Sequence, residues 1–216
     1  MVTEFIFIRH GETQANRDGI LQGNMNCPLN ENGLRQAKAV AGYLRDCEFA
    51  AVYASPLSRA FETAAVIIGC GHENTPLLSD ERLREWNCGE IDGLKWEDIH
   101  ARYQYEARSF CFEQIEVQMP GGESGVEFQN RVADFLKEMT VRHAGKKVLL
   151  VAHGGVLQRI FRVVAGVVVS GNMIPLAGNA SVSSFIYNHD LEAWQLTSWN
   201  RTEHLKDLPQ HISRVL

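Results

Sequence analysis

Two segments of this 216-residue chain share one layout: a short apolar run, then a histidine, then glycine. Phe5-Ile6-Phe7-Ile8 leads into Arg9-His10-Gly11-Glu12, and Val148-Leu149-Leu150-Val151 leads through Ala152 into His153-Gly154-Gly155. A continuous apolar run of that length, bounded by turn signals, reads as a strand buried inside a helix-covered sheet. In open α/β sheets ligands sit in the crevice beyond the carboxyl ends of the strands, where loops carry functional side chains on a rigid base. Both histidines are therefore expected at one edge of one sheet, in a shared site.

The rest of the chain agrees with that architecture. Strand-like runs at 3–9, 50–54, 147–152, 182–187 and 194–199 alternate with helical patterns, which predicts an α/β fold with a largely parallel central sheet. Leu57, Ala60, Phe61, Ala64, Ala65 and Ile68 follow helical spacing and predict a helix over 57–68, with Ser55 as N-cap and Pro56 in its first position. Phe128, Val132, Phe135, Leu136 and Met139 form a second stripe, opened by Ser124-Gly125-Val126-Glu127 with capping-box spacing. Leu34, Ala37, Val40, Ala41 and Leu44 mark another helix, and Val156, Leu157, Ile160, Phe161 and Val164 one more behind His153. The last two strands lie close enough for a hairpin around Asn188-His189-Asp190. Residues 95–122 break the rhythm, mixing Trp96, Tyr103, Tyr105, Phe110 and Phe112 with charges before Pro120-Gly121-Gly122. That stretch reads equally as a lid or as a pair of helices on the sheet. Residues 1–216 are expected to form one domain, with 95–122 as its lid or insertion.

Composition limits the partners. A formal net charge of −5 gives no broad basic surface for nucleic acid or anionic membrane, so neither is expected and any phosphate binding must be local. Cys27, Cys47, Cys70, Cys88 and Cys111 are odd in number and lack CxxC pairing. They fit neither a disulfide framework nor a zinc ribbon, and point to a reducing cytoplasm. The apolar run between Glu4 and Arg9 is too short for a signal peptide, and Val163 to Val169 falls far short of the roughly 20 residues of a membrane helix.

Arg59 lies off the apolar stripe of its helix, in the first turn after a strand, and so shares the sheet edge with His10 and His153. Arg9, Arg59 and the helix start at Gly154-Gly155 would supply anion-binding donors around two imidazoles. Such a pocket suits a phosphoryl group. Neutral imidazole attacks phosphorus in line, and the phosphohistidine divides one hard step into two easier ones. Phosphoryl transfer asks mainly for positioning and charge stabilisation, so two arginines and a second histidine could replace a metal ion. The leaving oxygen needs a proton from a carboxylic acid or a histidine. Glu85, in Arg82-Leu83-Arg84-Glu85-Trp86, is the first candidate, with Glu12 and Glu90 open on chemistry alone.

Other chemistries lack their residues. No cysteine has an arginine six positions later, and Gly122-Glu123-Ser124-Gly125-Val126 misses the final glycine of a nucleophile elbow. There is no Gly-x4-Gly-Lys-Ser/Thr run and no His-Glu-x-x-His helix; His72, His100, His143 and His211 read as structural or solvent-facing.

The chain resembles the histidine phosphatase superfamily, the phosphoglycerate mutase-like group, through nearly its whole length. The resemblance is carried by Arg9-His10-Gly11-Glu12-Thr13 with Asn16, Gln22-Gly23, Pro28-Leu29 before Gly33, and Ser55-Pro56-Leu57-Ser58-Arg59-Ala60 with Thr63-Ala64. It continues through Leu83-Arg84-Glu85 with Gly89, Pro120-Gly121-Gly122-Glu123-Ser124, Val151-Ala152-His153-Gly154-Gly155, and Asn200 with His204-Leu205. It implies a three-layer α/β sandwich, a mostly parallel sheet with helices on both faces, and neither metal nor cofactor. It further implies His10 as phosphorylated nucleophile, Arg9, Arg59 and His153 as phosphate holders, and Glu85 as proton donor and later base. Asn16 resembles a further phosphate ligand, Gln22 and Gly23 substrate-contacting loop residues, and Gly154 a backbone donor.

Mutases of the group resemble a Glu-Arg-His-Tyr-Gly pattern at the acid followed by a paired basic motif. Here the acid precedes Trp86-Asn87-Cys88-Gly89, while Lys95, Arg102 and Arg108 are scattered, which favours hydrolysis of a small-molecule phosphate ester. The phosphatase branch often has Gly-x-Trp-Glu-Gly at this point, where the chain has Gly89-Glu90-Ile91-Asp92-Gly93. Trp86 and the aromatics of 95–112 suggest a leaving group larger or less charged than phosphoglycerate, such as a nucleoside-like, sugar or aryl phosphate. A phosphoglycerate mutase is the alternative, and a non-catalytic phospho-ligand module the remote one, since it should have lost His10 or Glu85.

Overall fold

The computed structural model describes residues 1–103, 118–166 and 175–209. Its centre is a six-stranded sheet: β1 (Val2–Arg9), β2 (Ala51–Ala54), β3 (Leu77–Ser79), β4 (Lys147–Ala152), β5 (Val182–Asn188) and β6 (Ala193–Arg201), in the order β3-β2-β4-β1-β5-β6. The first four positions pair in parallel, whereas β5 runs antiparallel to both β1 and β6. The sheet is thus mixed, with its parallel part holding both histidine-bearing strands.

Saturation of β1 and β4 with apolar residues follows from burial on both faces. Phe5, Phe7, Val148 and Leu150 face one core cluster, and Ile6, Ile8, Leu149 and Val151 face the other. Against the first face pack α5 (Gly125–Arg142) and α6 (Gly154–Ala165) through Phe128, Val132, Phe135, Leu136, Met139, Val156 and Ile160. Against the second pack α2 (Glu31–Tyr43) and α3 (Ser58–Ile68) through Val40, Ala41, Ala60, Ala64 and Ile67. Helix, sheet, helix makes the expected three layers. Two short helices, α1 (Gln14–Arg17) and α4 (Trp96–Tyr103), sit on the loops at the carboxyl edge.

The capping box of α5 forms as its spacing predicts: Ser124 Oγ accepts the Glu127 N–H, and the Glu127 carboxylate accepts the Ser124 N–H. The start of α3 does not. Its N-cap is Leu57, which gives no side-chain cap, while Ser55 accepts the Leu57 N–H at 3.3 Å and turns its hydroxyl to His153. Phe61 and Leu34, assigned to apolar stripes, lie at the solvent margin, 38% and 41% exposed. The hairpin between β5 and β6 turns where expected, with Asn188 Oδ1 accepting the N–H groups of Asp190 and Leu191. Strand β3 is an addition that the sequence pattern did not reveal.

Of the irregular stretch 95–122, the first part forms α4 and the last a turn closed by a Gln118–Ser124 bridge. Residues 104–117, with Tyr105, Arg108, Phe110, Cys111 and Phe112, lie outside the described residues, as does His211. Among the described residues no helix is long and apolar enough to cross a membrane.

Candidate active site

Strand register assembles the site. Arg9 on β1 pairs with Ala152 on β4, and the His10 N–H continues the ladder to the Ala152 carbonyl at 2.9 Å, so the two histidines leave neighbouring strands side by side. Their ring centroids are 5.1 Å apart. Ala54 on β2 pairs with Val151, which brings Ser55 to His153, and the Asp80 N–H on the Ala54 carbonyl turns the following chain toward Glu85. Four chemistry-bearing loops thus meet at one edge because four parallel strands end there.

His10 is buried, and its Nδ1 lies 2.7 Å from the Gly11 carbonyl. A carbonyl only accepts, so the network assigns the ring proton to Nδ1 and leaves Nε2 unprotonated, with its lone pair as acceptor. Arg59 Nε donates to that lone pair at 3.3 Å. Burial, then the charges of Arg59 and Arg9, hold the proton affinity of His10 well below its ordinary value. The imidazole is therefore neutral and nucleophilic at neutral pH.

Arg59 is 1% exposed despite its charge, and its other nitrogens are fixed: Nη1 donates to the Met25 carbonyl at 2.7 Å and Nη2 to the Gly23 carbonyl at 2.8 Å. Those carbonyls lie on a loop that glycine makes possible. Gly23 has φ +44°, and a Cβ there would fall 1.7 Å from the Asp92 carboxylate. Asp92 Oδ2 accepts the Asn24 N–H at 3.0 Å, and burial pushes its carboxyl up to about 6. Arg9 Nη1 donates to the Ala177 carbonyl at 2.6 Å, while Nε is buried without a partner among the described residues. Burial lowers the Arg9 guanidinium to about 10, against the pull of the Glu85 charge.

Glu85 is held at both oxygens, Oε1 by the Trp86 N–H at 2.9 Å and Oε2 by the Gly155 N–H at 3.0 Å. A Cβ on Gly155 would lie 2.3 Å from Glu85 Oε1, so this position admits only glycine while the carboxylate stays. His153 is fully buried, with Nε2 2.8 Å from Ser55 Oγ and Nδ1 unpartnered among the described residues. Burial, then Arg59 and His10, push its proton affinity down as well. Asn16 Oδ1 accepts from the Thr13 N–H and from Asn179 Nδ2, which fixes the amide and turns its NH2 group outward.

Around these groups opens a cleft lined by Arg9, His10, Asn16, Gln22, Gly23, Arg59 and Glu85 and walled by Trp86, Trp96 and Phe128. Two guanidiniums and a neutral imidazole beside one carboxylate suit a dianionic phosphate ester, with the carboxylate near its leaving oxygen.

The structure brings together nearly every residue expected from the sequence. His153 stands beneath the cleft rather than on its lining, and Gly154 packs on the Arg9 guanidinium while Gly155 lines the cleft. Of the three carboxylates left open, Glu85 alone lines the cleft. Glu12 is buried on Asn30 and Gln36, and Glu90 is exposed in a separate turn. Ser55, Gln158, Arg159 and Asn179 were not singled out as site residues. Arg159 lies four positions after Gly155, one helical turn above it, and that spacing was available in the sequence. Asn179, which donates to the His10 carbonyl at 3.1 Å, had no local signal.

Comparison with known proteins identifies the family and agrees with the fold. The family model of the histidine phosphatase superfamily, branch 1, matches residues 5–202. A metal-independent phosphoserine phosphatase from Arabidopsis thaliana is 34% identical over 210 residues, covering 96% of this chain and 85% of that protein. Phosphoglycerate mutase-like protein 4 of the same plant is 31% identical, covering 94% and 87%. Among solved structures, a mycobacterial glucosyl-3-phosphoglycerate phosphatase superposes with TM-score 0.80 at 26% identity, covering 94% of this chain and 100% of that one. A phosphoserine phosphatase from Entamoeba histolytica, in complex with phosphoserine, superposes with TM-score 0.79 at 27% identity, covering 94% and 99%. With the family model matched over residues 5–202 and a relative 34% identical along 96% of this chain, the protein belongs to the histidine phosphatase superfamily, branch 1.

Proposed function

We propose that the protein is a phosphomonoesterase that hydrolyses small phosphate esters through a phosphohistidine on His10. The observation that carries this reading is the unprotonated Nε2 of a neutral His10, held by Arg59 at the edge of a cleft whose lining has one carboxylate, Glu85. In the first step Nε2 attacks phosphorus, the ester P–O bond breaks, and Glu85 in its acid form gives the leaving oxygen a proton. In the second, Glu85 as carboxylate takes a proton from water, the oxygen attacks phosphorus, and the P–N bond returns its electrons to Nε2. Arg9, Arg59 and Asn16 hold the phosphoryl oxygens as charge gathers on them, His153 stands beneath them with its ring 5.1 Å from that of His10, and Gln22 and Gly23 meet the ester from the loop above. Gly154 backs the Arg9 guanidinium.

The alcohol part of the ester lies toward Trp86, Trp96 and Phe128, a wall that accepts a sizeable organic group. Relatives named for phosphoserine and glucosyl-3-phosphoglycerate support a small metabolite as the substrate class. Free thiols at Cys27, Cys47, Cys70 and Cys88 support work in a reducing cytoplasm.

The test is phosphate release from p-nitrophenyl phosphate and a metabolite panel in EDTA, with 3-phosphoglycerate followed for isomerisation. Hydrolysis should survive EDTA and fall by about a thousandfold or more in His10→Ala. Isomerisation without phosphate release would replace the hydrolase by a mutase.

A further inference from the structure

We infer that Arg131, locked to Glu123, is a positioning residue that sets where Glu85 delivers its proton. The inference rests on the reading of Glu85 as proton donor.

Residues 82–87, which carry Glu85, form no strand or long helix of their own beyond the short turn Glu81–Leu83. Backbone without ladder bonds needs other partners, and here one side chain holds three of its carbonyls. Arg131 Nη1 donates to the carbonyls of Arg82 at 2.8 Å and Arg84 at 2.7 Å, and Nη2 donates to the carbonyl of Glu85 itself at 2.9 Å. The remaining donors form a fork on Glu123, Nε to Oε1 at 2.9 Å and Nη2 to Oε2 at 2.8 Å. A guanidinium has five N–H donors, and all five are committed. Arg131 does not line the cleft. Its chemistry is spent on the backbone behind the acid.

Glu123 extends the clamp past Glu85. Its Oε2 accepts the Asn87 N–H at 3.1 Å, its carbonyl accepts Trp86 Nε1 at 3.0 Å, and its own N–H donates to the Asn87 carbonyl at 2.9 Å. The guanidinium also rests on the Phe128 ring, 4.4 Å from its centroid, which ties the clamp to α5 and the core. Glu85 is thus held from two sides, its carboxylate by Trp86 and Gly155 and its backbone by Arg131. None of the Arg131 bonds reaches Arg9, His10 or Arg59, so the clamp can be loosened while the phosphate cradle stays intact. Lysine, with three donors and no planar fork, cannot reproduce five directed bonds.

A displaced acid harms poor leaving groups, which need a proton, far more than p-nitrophenolate, which does not. The experiment measures kcat and KM of Arg131→Lys, Glu123→Gln and Glu85→Gln on p-nitrophenyl phosphate and on an alkyl phosphate such as phosphoserine. Melting temperature and inorganic phosphate affinity are followed for each. Arg131→Lys and Glu123→Gln are expected to lose about tenfold or more in kcat on the alkyl ester and less than about threefold on the aryl ester, with phosphate affinity kept. Rate ratios are taken within each preparation, so partial unfolding lowers both esters alike and counts against the proposal. An equal loss on both esters, or no loss, overturns the role of Arg131. If Glu85→Gln itself leaves the alkyl-to-aryl ratio unchanged, the reading of Glu85 as proton donor falls first and takes the inference with it. If Glu85→Gln lowers the ratio and neither clamp variant does, the inference alone falls.

Discussion

Gly155 shows how tightly the site is drawn at the scale of single residues. Its N–H holds Glu85 Oε2, and the space of its missing side chain is occupied by Glu85 Oε1. Gly155→Ala should displace the carboxylate and lower kcat on an alkyl phosphate by about ten- to a hundredfold, with little change in phosphate affinity. Ser55→Ala removes the group at 2.8 Å from His153 Nε2 and leaves that buried nitrogen without its bond. The loss should be about 1–3 kcal/mol, read as a lower melting temperature and a weaker affinity for inorganic phosphate. At this scale the sequence was most legible where a residue sits directly on a strand end. Arg9, His10 and His153 could be placed from their neighbours alone. Glu85 came from proton chemistry and family resemblance, and its place on the cleft lining then set it apart from Glu12 and Glu90. Ser55, Arg131 and Asn179 were not legible as site residues. Ser55 meets His153 across 98 positions of chain, Arg131 the carbonyls around Glu85 across 46 to 49, and Asn179 its partners across 163 to 169.

Among the elements, α5 supports both core and site, with Phe128, Val132, Phe135 and Met139 buried on one side and Arg131 reaching the Glu85 segment on another. Its capping box is closed by Ser124 and Glu127. Ser124→Ala should cost about 1 kcal/mol, which a chain of this size shows as a melting temperature lower by about 2–4 °C. Turnover should change little, because the box caps the helix without touching the cleft. Helices with a full apolar stripe were readable because their periodicity states which face is buried. Strand β3 was not, since two of its three residues are exposed and none forms an apolar run. The antiparallel course of β5 against β1 was likewise hidden, because alternation marks burial of a face and carries no direction. Ser55 misled for a related reason. Ser-Pro before an apolar stripe satisfies the N-cap pattern, yet the hydroxyl finds a buried imidazole instead.

Across the whole molecule, the fold concentrates unpaid polarity at one edge of the sheet, and stability should register it as pH changes. His10 and His153 are buried neutral, their proton affinities held well below the ordinary value. Once unfolded they titrate at about 6.5. Below that pH the unfolded chain binds protons that the folded chain refuses, so stability falls as pH falls through this window. Asp92 acts in the opposite sense. Its carboxyl is pushed up to about 6 in the folded chain, so it takes up a proton on folding between about pH 6 and 4 and offsets part of the loss. With two histidines against one carboxyl, the melting temperature should drop from pH 6.5 to 5, more steeply than in His10→Gln/His153→Gln; equal slopes in parent and variant would remove this account. The same buried neutrality should keep kcat/KM from declining at the ordinary titration of histidine. The three-layer plan was readable from the alternation of strands and helices, while convergence of four loops depended on register that no single segment states.

The most direct test of the central claim is a search for the phosphoryl group on His10. Glu85→Gln is mixed rapidly with p-nitrophenyl phosphate, whose leaving group needs no acid, and quenched in alkali, where phosphohistidine survives. A burst of p-nitrophenolate is predicted to match one phosphate per chain on the His10 peptide, labile to acid and absent when His10→Ala is added to the variant. Release of p-nitrophenolate with no phosphate on His10, or with phosphate on another residue, would contradict the mechanism.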